Sequence, residues 1–193
     1  MPIVPDDKDW TWVLSATCPE CGFDGPGTGY EQVPDLTRDA AARFAVVLRR
    51  PEAAVRPDES TWSPLEYAAH VRDVCRIFTH RLDIALTGTG AAPVADIPAY
   101  DPAVTLDSAG VPMFSNWDQD ATATAARYGD QDPATVATAL LAAAETVSRA
   151  FESVPPADRA RAARRSNGSD FTVDSMSRYF AHDLVHHLHD VAA

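Results

Sequence analysis

Apolar residues recur every three or four positions in four long stretches of the chain, and no comparable stretch alternates with the period of a half-buried strand. The first stretch runs from about Asp35 to Arg50, with Leu36, Ala40, Phe44, Val47 and Leu48 in helical phase and Pro51 at its end. The second opens on Ser63-Pro64-Leu65-Glu66, a capping box with proline at the first helical position, and continues to about Leu86. Thr87-Gly88 stops it. The third starts at Asp132-Pro133 and carries Val136, Leu140, Ala143, Val147, Phe151 and Val154 up to Pro155-Pro156. The fourth follows the Asn167-Gly168-Ser169 turn, begins near Asp170 or Thr172 and reaches about Val191. Between the second and third lies a loop-like segment, Gly88 to Pro112, with four prolines, and then a short helix predicted within Asn116 to Tyr128. So long a connection in a compact domain is usually functional or poorly ordered. The expected fold is all-α: a four-helix bundle over residues 35–193, with residues 1–34 as an irregular N-terminal arm.

Composition narrows the function classes. With 193 residues, 46% hydrophobic and 23% charged, the chain suits one ordinary globular domain. No apolar run reaches the roughly 18 residues a membrane span needs. The N-terminus has neither a basic region nor an apolar core, so no secretory signal is read and a cytoplasmic location is expected. The net charge is −12 and Lys8 is the only lysine, which excludes a basic sheath for nucleic acid. Arg159, Arg161, Arg164 and Arg165 form a short basic cluster, read as a solvated loop or helix end. The Ala- and Arg-rich, Lys-poor usage suggests a high-GC bacterial genome. Three cysteines do not make a disulfide framework.

Histidines carry the candidate chemistry. His182, His186, His187 and His189 crowd into the last helix, where His182 and His186 share a face and His187 turns away. An i, i+4 histidine pair can direct two imidazoles at one metal ion. The helix reads HDLVH, with no glutamate base of the metalloprotease kind. The apolar stripe Val173, Phe180, Leu184, Leu188 and Val191 lies roughly opposite, so the pair is either a solvent stripe or the lining of a pocket. On the second helix, His70 projects within the apolar sector and His80 within the polar one, where it reads as a surface residue. A buried imidazole needs a partner. A metal shared with the facing histidine pair would supply one, and three histidines with open positions suit zinc, with nickel or iron also compatible.

The runs Thr61-Trp62-Ser63-Pro64-Leu65-Glu66-Tyr67-Ala68-Ala69-His70-Val71-Arg72-Asp73 and Tyr179-Phe180-Ala181-His182-Asp183-Leu184-Val185-His186-His187 together resemble the DinB-like (YfiT-like) superfamily. That resemblance covers roughly residues 35–193 and implies a four-helix bundle holding a divalent metal ion through His70, His182 and His186. The superfamily includes enzymes that use bacillithiol, mycothiol or glutathione, among them mycothiol-dependent maleylpyruvate isomerase. In the isomerase-like branch the last-helix motif resembles E-x-x-x-H-H, and His182 stands at the glutamate's place, which favours a three-histidine branch.

The implied activity is a metal-dependent S-transferase that uses a mycothiol-type thiol and an electrophilic small molecule. A metal-dependent hydrolase and a non-catalytic metal-binding bundle are the alternatives. Tyr67, Trp117 and Asp118 are candidate pocket residues, and Asp73 and Asp183 are candidate acceptors that orient imidazoles. The arm carries Asp9-Trp10-Thr11-Trp12 and Cys18-Pro19-Glu20-Cys21-Gly22-Phe23-Asp24, similar to a Trp-rich, CPECGFD-like arm of some superfamily members. CxxC is half of a zinc ribbon, and no second CxxC exists in the chain; a structural turn, a redox dithiol or a half-site shared between chains remain open readings. If the histidine side of the last helix faces a buried pocket, its apolar stripe needs a cover, either the arm or a second subunit of a homodimer.

Overall fold

The structure is a computed structural model of the chain and describes residues 8–94 and 96–192. Four long helices lie where the apolar periodicity places them: α1 (Val33–Val47), α2 (Pro64–Thr87), α4 (Pro133–Glu152) and α5 (Val173–Asp190). A short α3 (Gln119–Ala125) precedes α4, inside the stretch expected to hold a short helix. Side by side, the long helices run in the order α1, α4, α2, α5, so that α1 and α2 face each other across the core.

Their ends follow from local chemistry. Ser63 Oγ accepts the Glu66 N–H at 3.3 Å, and the Ser63 N–H donates to Glu66 Oε2 at 2.8 Å, closing the expected capping box at the start of α2. Gly88 ends that helix at φ +75°, a left-handed conformation that glycine adopts without a Cβ clash, and its N–H donates to Ile84 O. Asp132 caps α4 through the Thr135 N–H. Thr172 and Ser175 cap α5 reciprocally.

The all-α expectation is overturned. A four-stranded mixed sheet lies beside the helices in the order β1 (Thr105–Leu106), β2 (Pro112–Phe114), β3 (Ala162–Arg165), β4 (Asp170–Thr172). Strands β1–β2 and β3–β4 are antiparallel, whereas β2 and β3 pair in parallel, Met113 against Arg164 and Phe114 against Arg165. Strands of two to four residues are too short to show a period, and the central pairing joins distant parts of the chain. The arginines expected in a solvated loop therefore divide: Arg164 and Arg165 belong to β3, and Arg165 packs over Phe171 and Tyr179. Residues 170–172, expected in the last helix, form β4 instead.

One consequence matters for the site. The sheet tethers the long segment after α2: Ser166 N–H donates to Phe114 O, and the Asn116 N–H to Ser166 Oγ. Arg81 of α2 is buried beneath it, between the rings of Phe78 and Phe114, and donates to Ser115 O. The stripe Val173, Phe180, Leu184, Leu188 and Val191 is buried inside the chain's own core, so the need for a second subunit to cover it falls away. The arm lies across the other side of α5, with the turn Trp10–Leu14 against that helix and Tyr30 donating to Phe151 O. Among the described residues, no helix is long and apolar enough to cross a membrane.

Candidate metal centre

The site begins with His70, in the middle of α2 and fully buried. Its ring lies parallel to Trp117 at 5.1 Å and tilted against Trp62 at 5.4 Å. Trp117 is held in turn, because its indole N–H donates to Thr122 Oγ1 at 2.7 Å. Neither nitrogen of His70 has a hydrogen-bond partner among the described residues.

Across from it stand Asp183 and His187, one helical turn apart on α5. His70 Nε2 is 3.5 Å from Asp183 Oδ1, and His187 Nε2 is 3.7 Å from the same oxygen. Asp183 Oδ1 is itself buried and makes no hydrogen bond among the described residues. Two donor atoms about 2.1 Å from one tetrahedral ion stand about 3.4 Å apart. The observed spacings are thus too long for hydrogen bonds and close to the edges of such a tetrahedron. Ligand atoms of His70, Asp183 and His187 lie within 4.8 Å of one another. The residues therefore fit a divalent ion, held by one imidazole from α2 and one carboxylate and one imidazole from α5.

Protonation states agree with that donor set. Burial lowers the His70 pKa and outweighs the opposing pull of the Asp183 carboxylate. Burial works to raise Asp183, but His70 and His187 beside it prevail and bring it down to about 2. Neutral imidazole and ionised carboxylate are the forms that ligate. Asp190 completes the arrangement: its Oδ2 stands 2.8 Å from His187 Nδ1, which leaves Nε2 directed at Asp183.

Asp183 and His187 also line a cavity of about 610 Å³. Trp62, Tyr67 and Trp117 supply aromatic wall, and Asn116, Asp118 and Arg165 supply polar wall. Tyr67 lies 5.0 Å from the His187 ring.

The five residues expected as pocket or orienting groups thus divide. Tyr67, Trp117 and Asp118 line the cavity, Asp118 as the N-cap of α3. Asp183 meets His70 directly. Asp73 lies elsewhere, in a buried cluster with Arg72, Arg76 and the Tyr128 hydroxyl.

The three expected ligands do not converge among the described residues. His70 groups with Asp183 and His187, whereas His182 and His186 group with Cys18 and Cys21. Helical phase explains the division. His187 projects about 20° from Phe180 of the core stripe, but His182 projects about 160° away, and a ligand facing α2 must come from the stripe's side. The pair Asp183/His187 repeats the spacing of His182/His186 one residue later. His80, read as a surface residue, is buried, with Nδ1 2.9 Å from the Tyr100 hydroxyl and Nε2 3.2 Å from Gly90 O.

Comparison with curated proteins and with solved structures yields no match to this chain. A sequence profile of the DinB superfamily matches residues 31–191, a span that takes in all five helices together with His70, Asp183 and His187 and leaves out Cys18 and Cys21. With most of its length inside that match, the chain belongs to the DinB superfamily.

Proposed function

We propose that the protein is a metal-dependent enzyme that presents a low-molecular-weight thiol to an electrophilic substrate. The observation that carries the reading is the set of three donor residues, one of them without a hydrogen-bond partner among the described residues, beside a cavity large enough for a cofactor and a small substrate. Three protein ligands are what catalytic zinc sites keep, so that a further position stays open. A divalent ion at His70, Asp183 and His187 supplies Lewis acidity, which lowers the pKa of a thiol and favours the nucleophilic thiolate.

The chain's own residues do the positioning. Trp117 holds the plane of the His70 ring, and Asp190 holds the Nδ1 proton of His187. Trp62 and Trp117 pack against the His70 ring and, with Tyr67, give the cavity an apolar wall beside the donor set. Asn116 and Arg165 offer hydrogen bonds to a hydrophilic thiol of the mycothiol kind. Arg165 is fixed by Asn167 Oδ1, Ser169 Oγ and the Tyr179 hydroxyl, which suits it to orient a polar ligand.

The test is turnover of metal-loaded protein with mycothiol, bacillithiol or glutathione and a reactive electrophile. Conjugation that requires metal and is lost in His70→Ala is expected. Metal-loaded protein that conjugates none of these thiols, yet hydrolyses an ester or amide, would replace the transferase reading with a hydrolase one.

A further inference from the structure

The two histidines left over from the candidate centre lie farther round α5, at the border of the same cavity. His182 and His186 are both buried, under the arm, where Cys18 and Cys21 meet them. The four ligand atoms all lie within 4.8 Å of one another. Cys18 Sγ is 3.7 Å from His186 Nδ1. In a tetrahedral zinc site, with sulfur at about 2.3 Å and nitrogen at about 2.05 Å, that separation is about 3.6 Å.

We infer that Cys18, Cys21, His182 and His186 form a second, structural zinc site that fastens the N-terminal arm to α5. The CxxC of the arm is one half of the donor set, and the i, i+4 histidine pair of the last helix is the other. Four protein ligands leave no open position, which is the mark of a structural rather than a catalytic zinc. Two thiolates and two imidazoles form a soft set that selects zinc over magnesium or calcium.

The surroundings are built for it. The cysteines sit in a tight turn closed by the Cys18 N–H donating to Phe23 O at 2.8 Å and the Gly22 N–H donating to Cys18 O at 2.9 Å. Gly22, directly after the second cysteine, has φ +75°, which lets the chain double back. Glu20 Oε2 is 3.4 Å from His186 Nε2, so that a carboxylate faces the nitrogen that is turned away from Cys18. His182 Nε2 is buried and has no hydrogen-bond partner among the described residues. The rings of Trp10 and Phe23 cover His182 at 5.4 and 5.7 Å. Cys18 is fully buried, whereas His182 and His186, though largely covered, border the cavity described above. On binding, each thiol gives its proton to solvent and remains as a thiolate ligand.

The experiment uses the full chain, reduced and then loaded with cobalt(II) in place of zinc. Sulfur-to-cobalt charge-transfer absorption in the near ultraviolet is expected, together with the visible bands of a tetrahedral ion. Cys18→Ser and Cys21→Ser should remove the charge-transfer band and one ion per chain. His70→Ala should leave that band and remove the other ion, so failure here and failure of the proposed activity stay distinguishable. In the unmutated zinc-loaded protein, Cys18 and Cys21 should resist a thiol reagent until a chelator strips the metal. That readout does not depend on any variant folding. A cobalt-loaded full chain without charge-transfer absorption, or Cys18 and Cys21 that react equally fast with and without zinc, would overturn the inference.

Discussion

Removing the carboxylate of Asp190 should weaken metal binding at His70, Asp183 and His187 without touching a ligand. In the structure Asp190 Oδ2 stands 2.8 Å from His187 Nδ1, and the two side chains are only 23% and 18% exposed. The bond fixes which nitrogen carries the proton and keeps Nε2 aimed at Asp183. Without it, His187 must give up rotamer and tautomer freedom at the moment it ligates. Loss of such an orienting partner typically lowers metal affinity by about 10- to 100-fold. By the usual conversion that is about 1.4–2.8 kcal/mol. Asp190→Ala should show the full effect. Asp190→Asn keeps an oxygen able to accept from Nδ1 and should lose less than tenfold, because only the charge is gone. Competition against a chromophoric chelator measures the affinity, and thermal melting of the metal-free variants checks that the bundle is intact. Asp190→Ala that binds the ion at His70, Asp183 and His187 within about twofold of the parent, while His187→Ala loses that ion, would refute the orientation argument.

Three further outcomes are expected. Ser63→Ala removes the hydroxyl that accepts the Glu66 N–H and donates to Glu66 Oε2, leaving only the backbone half of the capping box at the start of α2, and should cost about 1–2 kcal/mol of unfolding free energy, read by denaturant titration. Trp117→Ala removes the ring stacked on His70 and should lower metal affinity by a factor of about 2–10, with Trp117→Phe closer to the parent; a stacked pair contributes about 0.5–1.5 kcal/mol beyond its area. Glu66 gives a pH test: burial pushes its carboxyl up, but Arg56 and Ser63 outweigh burial and hold it below its ordinary value of 4.5. A carboxylate lowered in the folded state adds stability above its unfolded pKa and loses it as pH falls through the folded one. Stability should therefore decline with acid below about pH 4.5, and Glu66→Gln should flatten that decline; a variant with an unchanged acid profile would show that the Arg56 pair contributes nothing.

The helices were legible because each has its own periodicity and its own stop signals, and Ser63, Glu66, Asp132 and Gly88 all act as their residue types suggest. The sheet was not, because β2 and β3 pair across residues 114 and 165 and neither is long enough to announce itself. The burial of His70 was legible from its place on an apolar face. Which of the two i, i+4 pairs of α5 lies beside His70 was decidable in principle. The stripe of Phe180, Leu184 and Leu188 fixes the inward side, and Asp183 and His187 flank it, whereas His182 and His186 oppose it. The burial of that opposing face came from the arm, a segment with no helical pattern to place it. For the same reason the nearness of the CxxC to His182 and His186 was not legible in the sequence.

The contact between Cys18 and His186 joins positions 168 residues apart, almost the two ends of the chain. A tie of that span cannot be among the first events of folding, because the entropy of closing so large a loop must be met before the contact returns anything. The helices have to assemble first, and the arm closes over α5 afterwards. Interactions made only after the transition state slow unfolding and leave the folding rate nearly unchanged. The arm therefore acts as a latch on a finished bundle. Its release should raise the rate at which the protein opens, and with it susceptibility to proteases, while refolding from denaturant proceeds at its former speed.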